Sequence, residues 1–250
     1  MYYIKIMNKI MLILFLCFSN LAQAVEIQNR VGEFFKINEK TEHPLFIQKT
    51  KLSIKDDLNR ETESEIFDSS GKVIMKETAI IENGLVKKQV MDQFQINERY
   101  ELSSENNQIV FKTFKISTDR QYKLVDENSV LPRESYYTGP SLEIFLKKYI
   151  SDFNKNKKMI TNFGIFELLK FLEFNLKKIE PIFKSEKQQG VLPLEMKVDS
   201  FLFSLFADSL FLEIDEKTGR LLRYRGRTPV RILEKGQFVP FDADIYYELK

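Results

Sequence analysis

Three arginines at alternate positions are the residues of this chain most suited to binding chemistry. Arg223, Arg225 and Arg227 fall on one predicted strand, and alternation along a strand puts their guanidinium groups on one face. Guanidinium groups bind phosphate and carboxylate through paired hydrogen bonds, which predicts a site for an anionic head group. The alternative is cross-strand pairing with acids such as Glu213 and Asp215. Pairing is the preferred interpretation for Arg225 and Arg227, and Arg223 is the best ligand candidate.

Residues for catalysis or metal binding are scarce. His43 is the only histidine, and hydrolytic triads, most zinc sites and most acid–base schemes use histidine or cysteine. The pairs Asp56-Asp57 and Asp242/Asp244 lack the spacing of a known calcium loop, so turn and surface carboxylates are the preferred interpretation. We predict no catalytic residue, no metal site and no cofactor. A hydrolase that uses two carboxylates stays open, because the 36 acidic residues allow many pairs.

The first 24 residues have the composition of a secretory signal peptide. Lys5 and Lys9 give a positively charged start before the apolar run Ile10–Phe18, and Ala22-Gln23-Ala24 is a small-x-small cleavage site. The apolar run is too short for the roughly 20 residues of a membrane-spanning helix. We predict cleavage near Ala24/Val25 and a periplasmic or extracellular mature protein. The only cysteine, Cys17, lies in this leader, so the mature chain forms no disulfide.

Removal of the leader also changes the charge. The 38 basic and 36 acidic side chains become 36 and 36 once Lys5 and Lys9 are lost, and a neutral protein has no global field to attract nucleic acid. We therefore predict no nucleic-acid partner. No later segment is apolar enough to cross a bilayer, since charged residues such as Lys147 and Lys170 interrupt the best candidates.

The region from Phe46 to Val125 alternates between extended segments and turn residues. Ser69-Ser70-Gly71, Glu82-Asn83-Gly84 and Glu105-Asn106-Asn107 separate runs of apolar–polar alternation, and Asn-Gly is a strong hairpin signal. This pattern predicts an antiparallel sheet with one solvated face. The acidic run Glu61–Glu65 is interpreted as a solvated strand or an edge strand, in preference to a set of ligand carboxylates.

One amphipathic helix is predicted over residues 141–154. Pro140 suits a first helical turn, and Ser141 suits an N-cap. Apolar residues follow at helical spacing: Leu142, Phe145, Leu146, Tyr149, Ile150 and Phe153. We expect this stripe to cover the concave face of the sheet, with Phe145 and Tyr149 in its middle as apolar candidates for ligand contact.

The second half returns to strands. Residues 159–183 fit a helix or strands, and their phenylalanine content favours strands. Alternation predicts further strands at Leu192–Val198, Leu210–Asp215, Leu221–Arg227 and Phe238–Leu249, with Gly219 in a hairpin loop. With no linker and no repeat, residues 25–250 are predicted to form a single mainly β domain, a curved antiparallel sheet or half-barrel wrapped around the helix.

Two segments carry a family resemblance. The predicted strand Leu192–Val198 is followed by the motif Asp215-x-x-Thr218-Gly219-x-Leu221-Leu222-Arg223-Tyr224-x-Gly226. This segment resembles an uncharacterised family of exported bacterial proteins. The segment Gly139-Pro140-Ser141-Leu142 fits the same family. That family is similar to the periplasmic lipoprotein carriers of the Lol system. The resemblance covers about residues 136–228 and implies a half-barrel with an apolar concavity. It implies no catalytic residue, and ligand carriage only by analogy of fold.

Two functions are preferred over the hydrolase. The first is a non-enzymatic envelope protein that binds a hydrophobic or amphiphilic ligand, such as a lipid or a lipid-modified partner. The 22 phenylalanines and 10 tyrosines supply apolar side chains for a lined cavity, but they also fit an ordinary solid core. The second is an interaction module that adds its sheet edge or its helix to an envelope protein assembly and carries no ligand.

Overall fold

A computed structural model describes residues 25–181, 189–199 and 209–250, and these residues form fifteen strands and one α-helix. The predicted leader and its cleavage site lie outside these residues. The strands are β1 (Glu26–Lys36), β2 (Phe46–Ile54), β3 (Arg60–Asp68), β4 (Val73–Glu82), β5 (Leu85–Gln93), β6 (Glu98–Glu105), β7 (Gln108–Ile116), β8 (Tyr122–Val130), β9 (Tyr136–Tyr137), β10 (Met159–Ile165), β11 (Lys170–Lys178), β12 (Val191–Val198), β13 (Leu210–Asp215), β14 (Leu221–Glu234) and β15 (Gln237–Leu249). The helix α1 is Leu142–Asn154.

All fifteen strands belong to one sheet. Its order is β8-β7-β6-β5-β4-β3-β2-β1-β15-β14-β13-β12-β11-β10-β9, so two meanders join where the first and last strands pair. Every pairing is antiparallel except the short one between β9 and β10. The predicted mainly β sheet is confirmed. The Asn-Gly turn also forms as predicted, with Asn83 and Gly84 both at positive φ.

The sheet is strongly curved, because residues from distant strands meet. The Tyr136 hydroxyl donates to the Val86 carbonyl over 2.8 Å, which joins β9 to β5. Elsewhere the Gln95 side chain donates to the Arg231 carbonyl over 2.6 Å and accepts from its N–H over 2.9 Å. The Gln95 amide thereby makes the same two hydrogen bonds to Arg231 that a neighbouring strand would make, and it links the β5–β6 turn to β14.

Alternation along the strands separates an inner face from an outer face. Inner side chains form a first core cluster, which includes Phe34, Ile66 and Phe111, and a second core cluster, which includes Leu176 and Leu212. The acidic residues of β3 lie on the outer face, where their solvation confirms part of the prediction. The alternative of an edge strand is wrong, because β3 pairs with β2 and β4 on its two sides.

Helix α1 packs within the second core cluster, against the inner face of β10–β14. Phe145 is 1% exposed, and its ring lies 5.0 Å from that of the half-buried Tyr149. The predicted helix is confirmed, but Ser141 is not its side-chain cap. The Ser141 hydroxyl instead accepts the Thr138 N–H over 2.9 Å, within a 3-10 turn at Gly139–Ser141 that precedes the helix.

The ambiguous segment after the helix forms strands, as favoured, over its described part. Strands β10 and β11 pair antiparallel around a 3-10 turn at Phe166–Leu168, where Leu169 adopts positive φ. Residues 182–183 of this prediction lie outside the described residues. The strands expected at β12, β13 and β15 are present, each within one residue of its predicted bounds.

Candidate functional site

A group of polar side chains interrupts the apolar inner face. Arg30 on β1 is opposite Thr50 on β2, Thr50 is opposite Ser64 on β3, and Ser64 is opposite Glu77 on β4. Directly opposed residues share a face, and this row shares the face of the first core cluster. We call the following set the inner polar band: Arg30, Gln48, Thr50, Arg60, Ser64, Glu77 and Gln89 of the sheet, with Glu143 of α1.

An ion pair crosses from the sheet to the helix. Arg30 Nη2 lies 2.7 and 2.8 Å from the two carboxylate oxygens of Glu143, with 11% and 17% of the side chains exposed. Glu143 also accepts the Leu221 N–H over 2.7 Å. The Arg30 guanidinium lies 5.6 Å from the ring centre of Tyr247, a residue that packs against both core clusters. The ion pair therefore lies where the two clusters meet.

Arg60 is the second inner guanidinium. The residue is 9% exposed, and its side chain makes no hydrogen bond or ion pair with any residue that the structure describes. Burial lowers the pKa of Arg60; Glu143 acts against this shift, and Arg30 adds to it. Both arginines thus interact with the Glu143 carboxylate, and Asp57 also acts to raise the pKa of Arg60.

Glu77 supplies little compensating charge. Burial raises the pKa of its carboxyl to about 7, although a 2.8 Å hydrogen bond from Gln89 favours the ionised form. At neutral pH this carboxyl is therefore about half protonated. The remaining band members pair with each other, since Ser64 bonds both Gln48 and Thr50.

The start of α1 lies across the end of the inner polar band. Lys147 donates to Asp57 in the β2–β3 turn over 2.6 Å, an exposed contact. At the β4–β5 turn, a Cβ on Gly84 would lie 3.4 Å from Leu58 and 3.5 Å from Ile144. The helix is therefore held to the turns of two hairpins as well as to β1.

The arginine row lies on the outer face, away from this band. Arg225 forms two hydrogen bonds with Asp244, of 2.6 and 2.7 Å, and Arg223 lies 3.2 Å from the same carboxylate. Arg227 pairs with Asp242. Burial acts to raise the pKa of Asp244, but the hydrogen bond from Arg225 leads the contacts that hold it below its usual value.

The ion pairs of this row are made with β15, while the expected Glu213 lies directly opposite Arg223 and interacts electrostatically with Arg223 and Arg225. Asp242 and Asp244 lie on β15, whereas the sequence pointed to Glu213 and Asp215 on β13. β14 pairs with both strands, so the shared face was predictable and the choice of partner was not. Phe145 and Tyr149 lie on α1, inside the sheet, so the five predicted site residues are not brought together. A ligand role for the arginines stays a prediction.

The motif behind the family resemblance has a local explanation. Asp215 accepts hydrogen bonds from the N–H groups of Lys217 and Thr218 and from the Thr218 hydroxyl. Gly219 follows at positive φ, and a Cβ added there would lie 2.6 Å from the Cα of Lys147 in α1. The motif therefore builds the β13–β14 turn and docks it on the helix.

A groove of about 640 Å³ crosses β1–β4, and its lining includes Arg30, Thr50, Ser64 and Glu77 of the inner polar band beside outer-face residues. Charged side chains of both signs line it, including Lys49, Lys51, Glu63 and Glu65, and Lys76 pairs with Glu65 over 2.6 Å. Its charges alternate and it lacks phenylalanine, unlike the apolar cavity that the sequence suggested.

Sequence reasoning missed the inner polar band. One signal was present in β3, where Arg60, Thr62 and Ser64 occupy the same alternate positions as Ile66. Polar residues in phase with a core residue indicate polar groups inside the sheet. The link to Glu143 had no local signal, because it depends on how α1 crosses the strands.

The described ranges contain no cluster of three or more His, Cys, Asp or Glu side chains placed to bind a metal ion. Asp56 instead accepts the Leu58 and Asn59 N–H groups and caps the β2–β3 turn. None of the helices in these ranges has the length and apolarity needed to cross a membrane.

Comparison with known proteins gives little further information. No protein-family model matches the sequence, and no curated protein matches it significantly. Among solved structures, the chain is similar to a β-barrel-like protein of domain of unknown function DUF1849 from Brucella abortus. The two share 5% sequence identity with a TM-score of 0.39, over 90% of this chain and 95% of the other. We infer nothing about function from a likeness at this level.

Proposed function

We propose that this protein is a non-enzymatic binding protein for an amphiphilic ligand, such as a lipid or a lipid-modified partner, held against the inner face of its sheet. The observation that carries the proposal is that this face is itself amphipathic. The inner polar band borders the first core cluster, and Tyr247 links the band to both clusters. A ligand with one polar and one apolar end would match both surfaces.

Unsatisfied polar atoms in the band support the proposal. Arg30 Nε, Arg60 Nε and Gln89 Oε1 are buried without a hydrogen-bond partner. Each such atom costs about 1–3 kcal/mol, so proteins rarely retain several of them without a reason. A bound polar group would satisfy them. This predicts that occupancy of the inner face stabilises the fold.

Mass spectrometry of organic extracts tests the proposal. Protein isolated from its native envelope without detergent should release an amphiphile in near-stoichiometric amount. Ser64→Leu should reduce that amount, because it adds bulk on the inner face, whereas Glu65→Leu on the outer face is the matched control. Thermal melts confirm that both variants are folded. Extracts without any amphiphile would contradict the proposal.

Export is part of the same proposal. The support is the order of charge, apolar run and small residues in 1–24. N-terminal sequencing of protein from the envelope fraction should give Val25 within one residue. A cytoplasmic product that retains Met1 would contradict export without affecting ligand binding.

A specific observation favours the second function, a ligand-free interaction module. Strand β8 is an edge of the described sheet, and all of its residues except Val130 are exposed. Such an edge can accept a strand from a partner. A photoreactive residue at position 125 should then crosslink to an envelope protein in intact cells, and one at position 65 serves as a control. Equal labelling from both positions would count against strand addition.

A further inference from the structure

Arg60 is a largely buried cation without a hydrogen-bond or ion-pair partner among the described residues, although the carboxylates of Glu143 and Asp57 favour its charged form. It begins β3, directly opposite Ile54 and Ile81, and it faces inward. Moving a guanidinium out of water costs several kcal/mol unless a partner compensates. Within the described ranges its side chain has no hydrogen-bond or ion-pair partner, although the residue is 91% buried. Such a group has donors available for a ligand.

The nearby carboxylates are already engaged. Glu143 bonds Arg30 and the Leu221 N–H, and Asp57 bonds Lys147 at the surface. The Glu77 carboxyl is bonded to Gln89. Two inner guanidinium groups, Arg30 and Arg60, therefore share the Glu143 carboxylate, and only Arg30 is bonded to it.

The surroundings of Arg60 are apolar on one side. Its cross-strand neighbour Ile81 is 1% exposed and belongs to the first core cluster, together with the fully buried Val86. An anion bound to Arg60 would therefore have its alkyl chain next to buried aliphatic side chains. Guanidinium is a donor-only group that matches carboxylate and phosphate oxygens in geometry and charge.

We propose that Arg60, assisted by Arg30, binds the anionic head group of the amphiphile, a carboxylate or a phosphate. The inference rests on the proposed function and names its ligand class. Glu143 holds Arg30 in place when the site is empty. Because Arg30 Nε is buried without a partner, Arg30 can contact the head group while its Nη2 stays on Glu143.

Calorimetric titration with three twelve-carbon probes below their micellar concentrations tests the inference. Dodecanoate, dodecyl phosphate and the uncharged dodecanol differ only in the head group. Delipidated wild-type protein should bind one of the anions at least about tenfold more tightly than dodecanol, and the better anion identifies the head group. Equal binding of all three would overturn the anionic site and leave amphiphile binding intact. Binding of none would contradict the proposed function itself.

Two variants locate the site. Arg60→Gln should weaken binding of the preferred anion by about tenfold or more and change dodecanol binding less than about twofold. Lys49→Gln, which removes the same charge from the outer face of β2, should leave all three affinities unchanged. Equal losses in both variants would show a general charge effect and overturn the assignment to Arg60. If Arg60→Gln does not fold, the proposal is tested by the anion selectivity of the wild type and of Arg60→Lys. Lysine keeps the positive charge, so Arg60→Lys should keep the preference for the anion over dodecanol.

Discussion

Arg30 on β1 and Glu143 on α1 form an ion pair of 2.7 Å across a separation of 113 residues in the chain. Both side chains are largely buried, and the pair fixes the helix to the strand at which the two meanders of the sheet join. It is also the centre of the charged group that we assign to ligand binding.

Replacing one partner of this ion pair should destabilise the fold more than the pair's own net contribution, because the other charge is left buried and unpaired. Glu143→Ala leaves Arg30 buried without its carboxylate and should cost about 3 kcal/mol in urea unfolding. Arg30→Met combined with Glu143→Leu should cost less than the sum of the two single changes, since no charge is left unpaired. Lys147→Ala, which breaks the exposed pair with Asp57, should cost about 1 kcal/mol or less. Strict additivity would show that the pair has no energetic coupling.

Glu77 should make stability depend on pH. Its pKa is raised to about 7 by burial, so between pH 4.5 and 7 the folded state holds more protons than the unfolded state. Stability contributed by this group therefore falls as pH rises, by at most about 3 kcal/mol. Glu77→Gln should match the wild type near pH 4 and exceed it at pH 8, as measured by chemical unfolding. Glu65→Gln on the outer face is the control, and parallel curves for wild type and Glu77→Gln would refute the shift.

Gly219 should tolerate no side chain. Its φ is +72°, and an added Cβ would lie 2.6 Å from the Cα of Lys147. Gly219→Ala should cost about 3 kcal/mol, because the turn must move away from α1. Gly236, at φ +81° with nothing within 4 Å, isolates the backbone effect, and Gly236→Ala should cost about 1 kcal/mol. Equal melting temperatures for the two variants would mean that the turn does not dock on the helix.

Phe145 should contribute to stability as a core residue. It is 1% exposed and contacts Tyr137, Tyr149 and Phe153 within the second core cluster. Phe145→Ala should cost about 3–5 kcal/mol. An unchanged melting curve would place the helix stripe on the surface instead.

Arg225 and Arg227 should differ in their contributions. Arg225 makes two hydrogen bonds to the buried Asp244, whereas Arg227 pairs with Asp242 with 53% of its side chain exposed. Arg225→Gln should cost about 2–3 kcal/mol and Arg227→Gln about 1 kcal/mol or less. The melting temperatures of the two variants measure this difference, and a larger loss for Arg227→Gln would contradict it.

The elements of this fold were predictable where their signals are local. Asn83-Gly84 sets a hairpin, and the stripe around Phe145 sets a helix, because turn chemistry and helical spacing act over a few residues. The partner of Arg225 was not predictable, since Asp244 lies 19 residues away on β15, which pairs with the other side of β14 from β13. The link from the inner polar band to Glu143 was not predictable, because it depends on where α1 lies against the curved sheet.

Photocrosslinking with a fatty acid that carries a diazirine on its alkyl chain tests amphiphile binding at the inner face most directly. The account predicts that mapped adducts fall on inner side chains near Arg60, such as Ile81 and Val86, and that excess dodecanoate suppresses them. Glu61 and Glu63, on the outer face of the same strand as Arg60, should remain unlabelled. Adducts confined to outer-face residues, or adducts that dodecanoate leaves unchanged, would contradict binding at the inner face.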